Sequence, residues 1–303
     1  MSLVTILTPA YNRAYSLPRL YQSLKAQTDR DFEWLVVDDG SVDDTRELIQ
    51  GYIAENAFPI RYIRKENGGK HDALNVGIAA IDSAWTFIVD SDDWLTENAV
   101  ERIRFYADRI PGYDARREIS ALCFLRAYPD GKTNGERPRD NEVVGNFIDR
   151  RINSHDELAD KAEVYRTEVL KACPFPVYPG ERFLQENIVW IRIAFDYDML
   201  FLNEAIYIGD YLADGLTRNV RKNKLRNPVG MYENAALLMD PRFVWIVRVK
   251  GALLYNIYFK LAHGSMLRGI SHSPNRLLAM AGLPAAYLIF WYYMVRYGKL
   301  LKD

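Results

Sequence analysis

Apolar residues in the first third of the chain arrive in short runs, each closed by polar ones. Leu3-Val4-Thr5-Ile6-Leu7, Phe32-Glu33-Trp34-Leu35-Val36-Val37, Ile60-Arg61-Tyr62-Ile63 and Trp85-Thr86-Phe87-Ile88-Val89 are rich in β-branched and aromatic side chains, which predicts strands. Pro9 has no N–H to give a neighbouring strand, so the first run is expected to stop there. Between the runs the spacing becomes helical. Leu17, Leu20, Tyr21 and Leu24 share one face of a helix that Ser16 caps, with Pro18 in its first turn, and that reaches Gln27. Asp43 or Asp44 opens a second helix ending near Ala54, and Lys70 to Ala80 carries Ala73, Leu74, Val76, Gly77 and Ile78. Strands alternating with helices predict βαβ units, right-handed crossovers and an α/β fold: a Rossmann-like, mostly parallel sheet flanked by helices.

Each predicted strand ends in residues poor at packing and good at chemistry: Thr8-Pro9-Ala10-Tyr11-Asn12-Arg13, Asp38-Asp39-Gly40-Ser41, Asn67-Gly68-Gly69-Lys70 and Asp90-Ser91-Asp92-Asp93. In an open α/β sheet such loops share one rim, where ligands bind, and four of them frame a nucleotide-sized cleft. The last loop is the sharpest signal. Its three carboxylates repel one another unless a cation or a hydroxyl-bearing partner comes between them. Asp-x-Asp spacing lets two of them converge, because side chains on extended backbone alternate. Oxygen ligands alone suit Mg²⁺ or Mn²⁺. The plainer reading of the same residues is a solvated turn before a helix N-cap at Thr96. Asp39 can accept the N3–H of uracil or a similar donor of another base; its structural alternative is a turn residue before Gly40. Lys70, after two glycines, can approach a diphosphate as a point charge, and a lysine opening a helix opposes the helix dipole unless an anion is near. No Gly-x-Gly-x-x-Gly follows the first strand and no Gly-x-x-x-x-Gly-Lys-Ser/Thr occurs, which argues against dinucleotide and P-loop binding.

These segments, the third extended as Gly68-Gly69-Lys70-x-x-Ala73-Leu74-Asn75-x-Gly77, stand in the order and spacing of family 2 glycosyltransferases. Over residues 1 to about 215 the chain resembles that family, which has the GT-A fold. The resemblance implies an inverting, metal-assisted transferase of the hexosyltransferase type, using Mg²⁺ or Mn²⁺. Its donor would be a nucleoside-diphosphate sugar, a UDP-sugar being the expected one, and its acceptor a hydroxyl of a saccharide or lipid-linked molecule in polysaccharide or glycolipid biosynthesis. It further implies that Pro9, Tyr11 and Arg13 line the nucleoside pocket, that Asp90 faces the ribose and that Asp92 ligates the metal. The family usually carries Glu-Asp at the start of an acceptor-side helix, the acid of the pair acting as base. Here the matching pair is Glu186-Asn187, and Asn cannot be a base. Glu186 becomes the catalytic candidate, with helix capping as its structural alternative and Glu181 and Asp93 as competing bases. Tyr207 to Arg218 resembles the segment that returns over the donor. The His that many relatives place there as a metal ligand is missing, and Arg218 is a candidate phosphate contact. His71 reads as a bystander. The departure at Asn187 motivates a second reading, a catalytically inactive nucleotide-sugar-binding or scaffold module at the membrane. A nucleotidyltransferase would need a Gly-rich activating loop that Pro9-Ala10-Tyr11-Asn12 lacks.

Composition changes the picture mainly at the C-terminal end. The 303 residues have a net charge of −1, but 25 Lys and Arg face 37 Asp and Glu through residue 215, while 14 face 3 from 216 to 303. This predicts a domain over 1–215 and a basic helical region over 216–303 whose partner is anionic. Leu277 to Val295 runs 19 residues without a charge between Arg276 and Arg296, and Gly282 with Pro284 is expected to break it. Its aromatic crowding and cationic flanks favour lying in a membrane interface through residues 242–303, over a core or homodimer helix and over a true span. Nucleic acid is not expected, since no recognised motif accompanies the basic residues. Cys123 and Cys173 have no metal or redox spacing, which suits a reducing compartment, and Leu3 to Leu7 is too short for the core of a leader. The expected location is cytoplasmic, peripheral on the inner face of the cell membrane.

Overall fold

The structure, a computed structural model, describes residues 2–135, 137, 140–154, 159–209 and 220–298. Its first elements are β1 (Val4–Ala10), α1 (Leu17–Lys25), β2 (Phe32–Asp38), α2 (Thr45–Glu55), β3 (Ile60–Arg64), α3 (Lys70–Ala80) and β4 (Trp85–Ile88). The short β5 (Trp94–Leu95), α4 (Ala99–Ala107), β6 (Ile119–Ala127), β7 (Val143–Gly145), β8 (Lys161–Arg166), α5 (Thr167–Ala172), α6 (Asn187–Ala194) and β9 (Asp198–Ile208) follow. The chain closes with α7 (Val220–Arg226), α8 (Pro228–Leu237), α9 (Trp245–His263), α10 (Met266–His272) and α11 (Arg276–Tyr297).

One mixed sheet runs β3-β2-β1-β4-β8-β6-β9-β5, with β7 added on β9. The four strands read from the apolar runs are parallel neighbours, with Val4 level with both Phe32 and Trp85. Their side chains alternate between two cores. Val4, Ile6, Trp34, Val36 and Phe87 pack under α1, α2 and α4, while Leu7, Leu35 and Val37 pack under α3 and α6. Burial on both faces is why these strands read as continuous apolar runs rather than alternating ones.

Three expectations differ from the structure, the first two because of what neighbouring elements do. β1 continues through Pro9 to Ala10. The Leu7 carbonyl, which accepts from Val89 N–H, faces β4, and Pro9 two residues on faces the same way. By then β4 has ended, so no neighbour asks for the missing N–H, while Ala10 still pairs with β2. α11 also runs unbroken through Gly282 and Pro284. Gly282 sits against Leu253 and Asn256 of α9, and Asn256 Nδ2 donates to the Ala279 carbonyl at 2.8 Å, so the neighbouring helix supports the turn before the proline. The expected cap at Thr96 lies two residues early: Asn98 occupies the N-cap position of α4.

The later helices attach to the second core through Phe243 and Val247. α11 is long and apolar enough, by length and composition, to cross a membrane, with a mean hydropathy of 1.5. Leu277, Met280, Leu288, Trp291 and Val295 recur at helical spacing along an exposed side.

Candidate functional site

The carboxyl ends of β1, β2 and β4 and the starts of α3 and α6 surround a cleft of about 800 Å³. All eight residues singled out in the sequence, Pro9, Tyr11, Arg13, Asp39, Lys70, Asp90, Asp92 and Glu186, line it. His71 is buried beneath the first turn of α3 and does not line the cleft. Arg218 lies outside the described residues.

Asp39 is pinned at the end of β2. Its carboxylate accepts from Gly68 N–H at 2.9 Å, Gly69 N–H at 2.8 Å and Lys65 Nζ at 2.9 Å. It therefore shapes the Asn67–Gly69 turn, and of its roughly four acceptor positions one remains for a ligand donor. Gly69 has φ +95°, and a Cβ there would come within 2.2 Å of the Arg182 carbonyl. Only glycine lets the loop before α6 close down on the start of α3.

Lys70 answers the dipole argument with two anions of its own chain. Its ammonium lies 2.5 Å from Asp90 Oδ1 and 2.6 Å from Glu186 Oε1. Burial works against the charge, but the two carboxylates outweigh it and hold the lysine pKa well above its ordinary value. Burial likewise opposes ionisation of Asp90, and Lys70 beside it wins, keeping the carboxyl below the usual range. Glu186 occupies the N-cap position of α6 without capping it; its side chain turns to Lys70 instead. Glu181 is engaged elsewhere, accepting from Val229 N–H at 2.6 Å and Gly230 N–H at 2.8 Å in the first turn of α8. Asn187 lines the cleft, and its buried Oδ1 has no hydrogen-bond partner among the described residues.

Asp90, Asp92 and Asp93 bring carboxylate oxygens within 4.8 Å of one another. Their surroundings differ. Asp93 is locked, receiving Arg126 Nη2 and Tyr207 OH at 2.6 Å each, yet burial, opposed by Arg126, still pushes its carboxyl up to about 6. The same Tyr207 oxygen accepts from Asp90 N–H at 3.1 Å, so β9 grips the loop at two points. Arg19 Nη2 donates to the Asp92 backbone carbonyl at 2.7 Å, but the Asp92 carboxylate receives no hydrogen bond or ion pair from another described residue. Burial and the charge of Asp90 push its pKa up. An acid raised by a like charge and left without a protein partner fits an oxygen-ligated divalent cation.

Arg126 and Glu163 carried no role in the sequence reading. Arg126 nearly closes the apolar strand β6, and Glu163 is a half-buried acid of β8 whose pKa burial raises and which feels the charge of Glu186. A charge set into an apolar strand is the signal that could have marked Arg126; β8, with Lys161, Glu163 and Arg166 among its six residues, offers none for Glu163.

The profile described as "Glycosyl transferase family 2" matches residues 5–155. "Glycosyltransferase GlyA" of Streptococcus pneumoniae serotype 4 is 34% identical over 215 residues, 68% of this chain and 28% of that protein. The chain belongs to glycosyltransferase family 2. This family 2 chain is also 29% identical over 197 residues to "Chondroitin synthase" of Escherichia coli, 65% of the chain and 26% of that protein. It thus spans about a quarter of the length of these curated relatives. Among solved structures, TarS 1–349 of S. aureus in complex with UDP-GlcNAc has a TM-score of 0.63 at 17% identity, covering 94% of this chain and 80% of that one. A mannosyltransferase of Pyrobaculum calidifontis, in complex with GDP-Man and Mn²⁺, has a TM-score of 0.57 at 16% identity, covering 99% and 85%. The fold of this family 2 chain is GT-A.

Proposed function

We propose that residues 1–215 form a donor-binding and catalytic domain that moves a sugar from a nucleoside-diphosphate sugar to an acceptor hydroxyl, with inversion. The observation that carries this reading is the pairing of an acid loop that has one unpartnered carboxylate, Asp92, with a lysine bridging Asp90 and Glu186. Asp92, with Asp90 beside it, would hold Mg²⁺ or Mn²⁺. When bound, the cation supplies positive charge to the departing diphosphate. Pro9, Tyr11, Arg13 and the remaining acceptor position of Asp39 receive the nucleoside, and Asp90 the ribose. The GT-A neighbours are described with UDP-GlcNAc and with GDP-Man, which supports a nucleotide-sugar donor and leaves the base open between uracil and guanine.

The donor diphosphate competes with Glu186 for Lys70. As Lys70 turns to phosphate, Glu186 loses its ion-pair partner and its carboxylate is free to face the acceptor hydroxyl. It then takes the acceptor hydroxyl proton while that oxygen bonds to the anomeric carbon, and the anomeric C–O bond breaks with its electron pair going to the diphosphate. Replacement of Glu186 by Gln should lower transfer or donor hydrolysis by about 10²–10⁴-fold. Nucleotide affinity should hold or rise, since Lys70 then has one competitor fewer. Equal rates in both proteins would remove Glu186 from the mechanism and favour the inactive binding-module reading that Asn187 motivates.

The acceptor is a saccharide or lipid-linked hydroxyl, and the chain works on the cytoplasmic face of a membrane. What supports the membrane reading is the exposed apolar side of α11, together with the excess of 14 cations over 3 acids beyond residue 215.

A further inference from the structure

Lys224 on α7 is a half-buried lysine that no hydrogen bond or ion pair reaches among the described residues. Its helix, Val220–Arg226, holds four cations and no acid in seven residues. Val220, Asn223 and Asn227 line the cleft, and Lys224, next to Asn223, stands beside that face of the helix turn rather than in the lining itself. Among the described residues, the charges that act on it are of its own sign. α7 packs through Leu225 against Leu254 and Tyr258 of α9, and Lys250 lies one turn ahead of Leu254 on the same stripe. Arg221, in the same turn as Lys224, is held by Tyr297 of α11, its guanidinium 4.7 Å from the ring centroid. Burial first, then Lys250 and Arg221, lower the pKa of Lys224. A half-buried, repelled ammonium with no partner among the described residues costs folding energy that a bound anion would relieve.

The donor does not need this cluster. Its diphosphate is already provided for by Lys70 and the acid loop, whereas the loop Glu181–Glu186 on the acceptor side is stapled to α7 and α8, with Asn227 Oδ1 accepting from Arg182 N–H at 2.8 Å. We propose that Lys224, with Lys250 and Arg221, is a phosphate subsite and that the acceptor carries a phosphate ester. This rests on the transferase reading above. The ester could be borne by a soluble sugar or by a lipid, and the shared chemistry is a phosphate dianion meeting point-charge ammonium groups.

The test is titration of phosphate esters into protein whose donor site is saturated with UDP or GDP and Mn²⁺, the nucleotide affinity being measured first. Glucose 1-phosphate probes a soluble ester. Farnesyl phosphate in neutral detergent micelles, with farnesol as control, probes a lipid-borne one. Binding of either ester should weaken at least tenfold in Lys224→Gln and in the exposed-site variant Lys250→Gln, with nucleotide affinity unchanged. The ester that shows this loss identifies the source. Lys224→Gln should also melt no lower than wild type, because the ammonium is repelled where it stands. Esters that bind neither form, or bind both variants as well as wild type, overturn the subsite. Failure of the nucleotide to bind would instead sink the transferase reading.

Discussion

The sheet region and the helices beyond residue 220 handle the same kinds of side chain in opposite ways. In the sheet Trp34 has no exposed surface, stacks on Tyr21, meets Tyr52 and Phe58 at a tilt, and donates its indole N–H to Thr8 at 3.0 Å. In the helices Trp291 is 68% exposed and Leu277 76%, while Lys224 is half-buried. The charges differ too. Acids of the sheet rim are mostly answered from within the chain, Asp90 by Lys70 and Asp93 by Arg126 and Tyr207, leaving Asp92 as the open position. The cations of the helices have few internal acids to meet. Each region thus leaves a demand of its own: a cation at the rim, and anionic and apolar partners for the helices.

The sharpest way to break this contrast is to treat the two tryptophans alike. Trp34→Ala should destabilise the protein by about 3–5 kcal/mol in denaturant titration, whereas Trp291→Ala should stay within about 0.5 kcal/mol of wild type and weaken binding to anionic vesicles. A large stability loss at Trp291 would mean that the α11 face is covered by its own chain. Next in size is Tyr207→Phe. It removes the hydroxyl shared by Asp93 and the Asp90 N–H, which should cost about 1–3 kcal/mol and weaken Mn²⁺ binding. An unaltered Mn²⁺ titration would show that β9 does not position the acid loop.

The smallest effect concerns Glu204, which receives Arg102 Nε at 2.7 Å and Nη2 at 2.8 Å at the far side of the sheet. Burial opposes its ionisation, but Arg102 and Tyr106 outweigh it and lower its pKa. A depressed carboxyl pKa gives stability that is present above the unfolded value and is lost as pH falls through the folded one. Wild type should therefore exceed Glu204→Gln by about 0.2–1 kcal/mol at pH 7, and the two should converge in acid. A gap that persists in acid would assign the difference to packing.

Much of the sheet region was legible because its signals are local. Runs such as Phe32–Val37 are short, β-rich and closed by acids, and the four loop motifs fall on one rim as parallel topology requires. What escaped the sequence depends on distant neighbours. Pro9 stays in β1 because β4 ends at Ile88, level with Leu7 and two residues short of the proline, and Pro284 stays in α11 because Asn256 supports the preceding turn. Arg126 and Tyr207 reach Asp93 from β6 and β9, which only the second half of the sheet brings alongside. That Glu181 is spent on α8, 48 residues away, leaving Glu186 facing Lys70, is likewise a fact of packing between distant segments.

The central claim is that the acid loop holds a divalent cation which in turn holds a nucleoside diphosphate. Calorimetric titration of UDP and of GDP, with and without Mn²⁺, into wild type and Asp92→Ala tests it most directly. The account predicts that one of the nucleotides binds wild type only when Mn²⁺ is present, and that Asp92→Ala, folded as stably as wild type, loses the Mn²⁺-dependent binding. Equal affinity with and without the metal, or an Asp92→Ala protein that binds as wild type does, would contradict it.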